Sequence, residues 1–281
     1  MHDVFNFNVG DFQCLAVNDR NSAIKAAWLF SDAPETELLQ ALERRGLEPD
    51  HLPSTRTCLL VDTGSKTVLV DTGGGELVGE KGGMLVPSLR GAGYEPADID
   101  VVFLSHIHSD HIGGCLEQDG ALVFSEARYV MGQEEWAFWT EETNLAAAPD
   151  WMASPARRVL PRLSDRMSTV DADAEILPGI RAIAAPGHTA GHMALEVVSE
   201  GSRLIYLADA ALHPIHVENP HWVSALDQFS QQVVQSRRAL FKRASEQQAL
   251  VLAFHFPPFP SLGYIVEEGT SWRWQPADTG L

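Results

Sequence analysis

The sequence predicts an α/β protein with mixed sheets, built as one domain over residues 1–281 from two paired half-units. Three observations carry this. Short Val-, Ile- and Leu-rich runs alternate with helical patterns along the chain. Each half repeats the order strand, strand, helix, strand. A hydrophobic fraction of 45% over 281 residues is ample for a sizeable core, and no repeat, linker or low-complexity segment divides it.

Composition narrows the function classes. With 38 acidic against 20 basic residues the formal charge is -18, which disfavours nucleic acid and anionic membrane surfaces as partners. Cys14, Cys58 and Cys115 are far apart and odd in number, so they read as free thiols in a reducing compartment. The start Met1-His2-Asp3-Val4 lacks a signal peptide's basic start and apolar run, and no apolar stretch is long enough to span a bilayer. The expected location is cytoplasmic.

In chain order, residues 4 to 17 read as two strands around Gly10-Asp11. Residues 34 to 45 read as a helix, with Asp32 as cap, Pro34 in the first turn, a Leu38, Leu39 and Leu42 stripe, and Gly46 at the stop. Residues 57–62 and 66–71 read as strands joined at Gly64-Ser65, a hairpin signal. Asp71 then opens Thr72-Gly73-Gly74-Gly75; it either orients a ligand histidine from behind or is an ordinary turn carboxylate. The Gly- and Pro-rich stretch 76–94 includes a short helix near residues 85–89, and a buried strand follows over 100–104.

Further on, residues 127–131 read as a strand and 133–140 as a helix. Its Trp136, Phe138 and Trp139 are expected in the core, with a substrate entrance as the alternative. Residues 141–155 show little periodicity and read as an exposed loop or lid. Residues 180–185, 193–199 and 203–208 read as strands, and 227–246 as a long helix with Ser224 and Asp227 at capping-box spacing. Residues 250–254 read as the final buried strand, with Pro257, Pro258 and Pro260 stopping regular structure after it.

The strand over 100–104 runs into Ser105-His106-Ile107-His108-Ser109-Asp110-His111-Ile112-Gly113-Gly114. Alternation at a strand end lets His106 and His108 converge on one point, while Asp110 and His111 face a second point close by. Three more strands end in His188, Asp209 and His255. One such histidine alone is more often structural, and His192 reads that way; seven donors at four strand ends point to metal. Nitrogen and oxygen ligands without thiolate suit zinc, and also manganese or iron. Seven exceed what one tetrahedral ion uses, so two divalent ions are expected, with Asp209 as bridge. Two metals about 3.5–4 Å apart can share a water, lower its pKa and present hydroxide to an electrophilic carbonyl or phosphorus. Ser105 and Ser109 lack the context of a nucleophile.

The run His106-x-His108-x-Asp110-His111, followed by Gly187-His188, Asp209 and His255, resembles the metallo-β-lactamase-fold superfamily over nearly the whole chain. The resemblance implies a four-layer αββα sandwich with the site at one edge between the sheets. It implies one metal held by His106, His108 and His188, a second by Asp110, His111 and His255, Asp209 bridging, and Asp71 in support. Gly187-His188-Thr189-Ala190-Gly191-His192 and His255-Phe256-Pro257-Pro258 look like the branch of N-acyl homoserine lactonases and methyl parathion hydrolases. Lactonases of that branch tend to carry tyrosine three residues after the bridging aspartate; Leu212 stands there, so either His213 or His216 stands in or the substrate differs.

The function expected is a dinuclear metal-dependent hydrolase whose bridging hydroxide opens a lactone or cleaves a carboxylic ester. Asp110 or a metal-bound water would protonate the leaving alkoxide. Phosphotriester hydrolysis at the same site is the alternative, and an iron-dependent persulfide dioxygenase-like redox protein the alternative from another class. The substrate would be small and apolar, and a homodimer is the assembly that family resemblance suggests.

Overall fold

The computed structural model describes residues 4–78 and 83–280; Met1-His2-Asp3 and part of the stretch 76–94 lie outside them. Two seven-stranded sheets carry the chain. The first runs in the order Val4–Val9, Phe12–Asn18, Thr57–Asp62, Thr67–Val70, Val101–Leu104, Arg128–Gly132 and Met167–Val170. Its first four strands pair antiparallel and the rest join in parallel. The second runs Glu175–Leu177, Ile180–Ala184, Met193–Ser199, Ser202–Tyr206, Leu250–Leu252, Leu262–Glu268 and Ser271–Pro276. Only its Ser202–Tyr206 and Leu250–Leu252 pair is parallel, so both sheets are mixed.

Val101, Val102, Phe103 and Leu104 are all buried, because parallel strands at a sheet's centre are covered on both faces. In the second sheet, alternation sorts the two faces. Leu204 and Tyr206 join the core shared with the first sheet, while Ile205 between them packs with Leu240, Phe241 and Ala244 of the helix Ser230–Glu246. The helices Leu85–Gly91 and Asp150–Leu163 add Leu89, Met152, Val159 and Leu160 to the first sheet's core. The layers therefore run helix, sheet, sheet, helix, as the resemblance implies.

The hairpin at Gly64-Ser65 and the helix Gln133–Thr140 fall where the sequence puts them. Trp139 is core, and Trp136 and Phe138 pack partly buried against it. The three cysteines are free and buried. No helix among the described residues is long and apolar enough to cross a membrane.

Four expectations need correction. Residues 141–155 are not a loop: they form Glu142–Ala147 and the first part of Asp150–Leu163. The apolar stripe Met152, Ala156, Val159 and Leu163 extends beyond residue 155, so a window ending there misses the period. Asp32 does not cap the helix Glu35–Glu43; its carboxylate accepts from Val223 N at 2.7 Å. The long helix begins at Ser230, leaving Asp227 free for another task. Leu250–Leu252 is not the last strand, because after the prolines the chain returns antiparallel with Gly263 opposite Val251. In the hairpin that follows, Ile265 and Trp272 are buried while Tyr264, Glu267 and Glu268 are exposed.

Tight backbone contacts seat the histidine-rich turn. Thr72 N and Oγ1 both donate to His111 O at 2.8 Å, and Gly114 N donates to Gly73 O at 3.1 Å. A Cβ on Gly114 would lie 2.0 Å from Thr72 O, closer than van der Waals contact allows. Gly114→Ala should therefore destabilise the fold by about 1–3 kcal/mol, read as a lower urea midpoint; an unchanged midpoint would contradict this seating.

Candidate metal centre

The four strand ends meet. His106 Nε2 lies 3.0 Å from His108 Nδ1, which lies 2.9 Å from His188 Nε2. Asp209 Oδ2 is 3.2 Å from His188 Nε2 and 3.7 Å from His106 Nε2. Beside this group, Asp110, His111 and His255 turn one atom each toward a second point, all within 4.8 Å of one another. Asp209 belongs to both groups in space: its Oδ1 is 3.2 Å from His111 Nε2 and its Oδ2 3.4 Å from His255 Nε2. All seven residues singled out in the sequence are thus brought together.

Hydrogen bonds from behind fix which ring nitrogen faces inward. His106 Nδ1–H donates to Ser105 Oγ at 3.0 Å, His111 Nδ1–H to Asp71 Oδ2 at 2.7 Å, His188 Nδ1–H to Asp227 Oδ1 at 2.8 Å, and His255 Nδ1–H to Thr55 O at 2.9 Å. Each bond leaves the Nε2 lone pair pointing into the cluster. Asp71 also accepts from Ser105 N, Ser105 Oγ and Tyr206 OH, each at 2.8 Å, which settles it as a support and not a mere turn residue. It does so from a left-handed backbone, φ 60°, and Ala208 next to Asp209 has φ 45°. Such strain collects where a site dictates the backbone.

These residues fit a metal. His111 Nε2 and Asp209 Oδ1 are buried without a hydrogen-bond partner, and the Nε2 atoms of His106, His111, His188 and His255 crowd around the one carboxylate of Asp209. Burial, with His111 and His108 nearby, pushes His106 well below the usual histidine range. Burial and the neighbouring His188 do the same to His108. Burial alone would raise Asp209, but His111 and His255 hold it well below the usual carboxylate range. The donor set of imidazole nitrogen and carboxylate oxygen suits zinc, manganese or iron.

His192 is the structural hydrogen-bonder expected: Nδ1–H donates to Ala185 O and Nε2 accepts from Asp209 N, both at 3.0 Å. A cavity of about 230 Å³ opens over the cluster, with Ile24, Leu29, Trp151, Leu212 and Leu226 as its apolar wall and Arg56 on its polar side. Leu212 lines it, but His213 and His216 do not. His213 lines a neighbouring cavity of about 760 Å³, and His216 is buried against Phe30, ring centroids 4.7 Å apart.

Four contributors were not visible in the sequence. Asp227 reads as part of a helix and instead holds His188; its Oδ2 accepts from Ser224 N at 2.8 Å, so the Ser-x-x-Asp spacing marks a real local turn. The fully buried Arg237 donates through Nε to Ala210 O at 2.7 Å, with Nη2 3.7 Å from Asp227 Oδ2. Arg56 Nε donates to Asp110 Oδ2 at 3.2 Å. Trp151, 49% exposed, lies over His108 with ring centroids 5.3 Å apart.

Two mixed sheets lie between helices, with a histidine and aspartate cluster where their strands end. The chain belongs to the metallo-beta-lactamase superfamily, whose family model matches residues 52–255. Among named relatives it is 29% identical over 182 residues to an N-acyl homoserine lactonase of Bacillus sp, covering 58% of this chain and 66% of that one. It is 28% identical over 169 residues to one of Bacillus thuringiensis, covering 53% and 61%. The chain thus matches a little under two thirds of those relatives' length. Among solved structures it is similar to AidC, a dizinc quorum-quenching lactonase held with a product, at TM-score 0.90, 25% identity and 99% coverage of both chains. It also shares the fold of AbOPH, a hydrolase in the beta lactamase superfamily, at TM-score 0.91 and 22% identity over 99% of this chain and 98% of that one.

Burial pushes His192 and His213 down to about 3, with His188 adding to the effect at His192 and Arg45 at His213. Both stay neutral in the fold, while the unfolded chain takes up their protons as pH falls below 6.5. Stability is therefore lost between pH 6.5 and 3. In metal-free protein, His213→Gln should flatten that slope by about 1.4 kcal/mol per pH unit, measured by urea denaturation. An unchanged slope would mean that His213 is protonated in the fold.

Proposed function

We propose that this chain is a metal-dependent hydrolase that holds two divalent ions, zinc by the chemistry of its donors, and opens a lactone or cleaves a carboxylic ester. His106, His108 and His188 would hold one ion, Asp110, His111 and His255 the other, with Asp209 shared. The observation that carries this is the carboxylate of Asp209, within 3.2–3.7 Å of nitrogens from both groups. The named lactonases among its relatives and the dizinc lactonase of the same fold support it. When bound, such a pair of ions lowers the pKa of a water between them and polarises the substrate carbonyl.

The chain's own residues do the rest. Burial would raise Asp110, but His111, His255 and Arg56 keep it below the usual carboxylate range, so it begins ionised. It accepts the proton released as water attacks the carbonyl and delivers it to the leaving alkoxide, so the proton count closes within one turnover. Arg56 steadies Asp110 through its Nε contact. Trp151, Leu212 and Leu226 receive the apolar part of the substrate and thin the water around the reacting carbonyl. The same reading makes residues 1–281 a single domain, places it in the cytoplasm, and takes a homodimer as its assembly.

A panel of lactones, aryl esters and phosphotriesters assayed on metal-loaded protein tests this. Lactones or esters should be turned over, and His108→Ala should cut the rate by roughly 100-fold or more while the protein stays folded. Phosphotriesters turned over far faster than any lactone would favour the alternative. Full activity in His108→Ala would refute the ligand assignment.

A further inference from the structure

We propose that Glu135 is a positioning residue of the metal centre: its buried carboxylate clamps the loop bearing His106 and His108 to the loop bearing His188, and so sets the spacing of the three imidazoles. The inference rests on the metal-binding part of the reading above and not on the substrate.

Glu135 sits in the helix Gln133–Thr140 and is fully buried. Its Oε1 accepts from Ile107 N at 3.1 Å, the peptide between His106 and His108. Its Oε2 accepts from Thr189 Oγ1 and Gly191 N, both at 2.8 Å, in the loop that begins at His188. One side chain thus spans two ligand-bearing segments 80 residues apart in sequence, and His108 Nδ1 meets His188 Nε2 at 2.9 Å just beyond it. Backbone contact leaves the junction no slack, because a Cβ on Gly191 would lie 2.1 Å from Glu135 N.

The chemistry argues against a merely space-filling role. Three donors and no acceptor face the carboxylate, so the ionised form is the one that fits. Burial nonetheless pushes Glu135 up to about 7, against the pull of those donors. A buried carboxylate is costly, and methylenes would fill the same volume without that cost. Glu135 does not itself join either group of inward-facing ligand atoms.

The test is Zn2+ titration of metal-free protein against a competing chelator, with the d–d absorption of the Co2+-substituted protein as a second readout. Glu135→Gln sets an amide NH2 against the donors on one side, and should weaken Zn2+ binding roughly ten- to hundredfold and shift the Co2+ bands. Glu134→Gln, its exposed neighbour, should change neither. Thr189→Val should give a smaller loss, and Thr189→Ser should restore wild-type affinity; these two decide the matter if Glu135→Gln does not fold. Wild-type affinity and spectrum in both Glu135→Gln and Thr189→Val, with only the melting temperature of metal-free protein lowered, would overturn the clamp alone. A wild-type protein that takes up no ion would overturn the metal centre and the clamp with it.

Discussion

Three imidazole nitrogens and a carboxylate oxygen packed within 4.8 Å of one another inside a protein are unfavourable neighbours unless a proton or a metal ion lies among them. That constraint organises this molecule. Stripped of water, such groups cost several kcal/mol each when left unpaired. The fold bears the cost by holding them on rigid elements. Each comes from a strand end or from the short turn that follows, and the backbone is forced left-handed at Asp71 and Ala208 to bring the carboxylates into place.

The surrounding hydrogen bonds settle chemical identity as well as position. Ser105, Asp71, Asp227 and Thr55 each take the outer proton of one histidine, so the inner nitrogen is free to bind. His192 acts on Asp209 in the same way, through its backbone and not its carboxylate. Both sheets contribute: the first delivers the 106–111 turn and Asp71, the second His188, Asp209 and His255. A site shared between two faces of one core is held as firmly as the core itself, which suits chemistry that demands fixed distances. The wall above it, with Trp151 among its lining, sets an apolar surface beside the polar cluster.

The seven ligating candidates were legible in the sequence because each follows an apolar run directly, and a run ending in a donor survives without knowledge of the pairing. Of the supporting residues, Asp71 and His192 were legible too, but the others were not. Asp227, Glu135 and Arg237 acquire meaning only when segments distant in the chain are laid side by side, and alone each looks like an ordinary helical or capping residue. The helix Asp150–Leu163 was hidden for a different reason: Pro155 and Pro161 interrupt the local pattern, while its buried stripe continues past them. The last hairpin was masked by the three prolines before it, and by the irregular alternation of the strands that carry Ile265 and Trp272.

The most direct test of this account is anomalous diffraction from crystals of the metal-loaded protein, collected at the absorption edge of the bound element. Two peaks are expected, one among His106, His108 and His188 and one among Asp110, His111 and His255, with Asp209 between them. A single peak, or none within reach of Asp209, would contradict it.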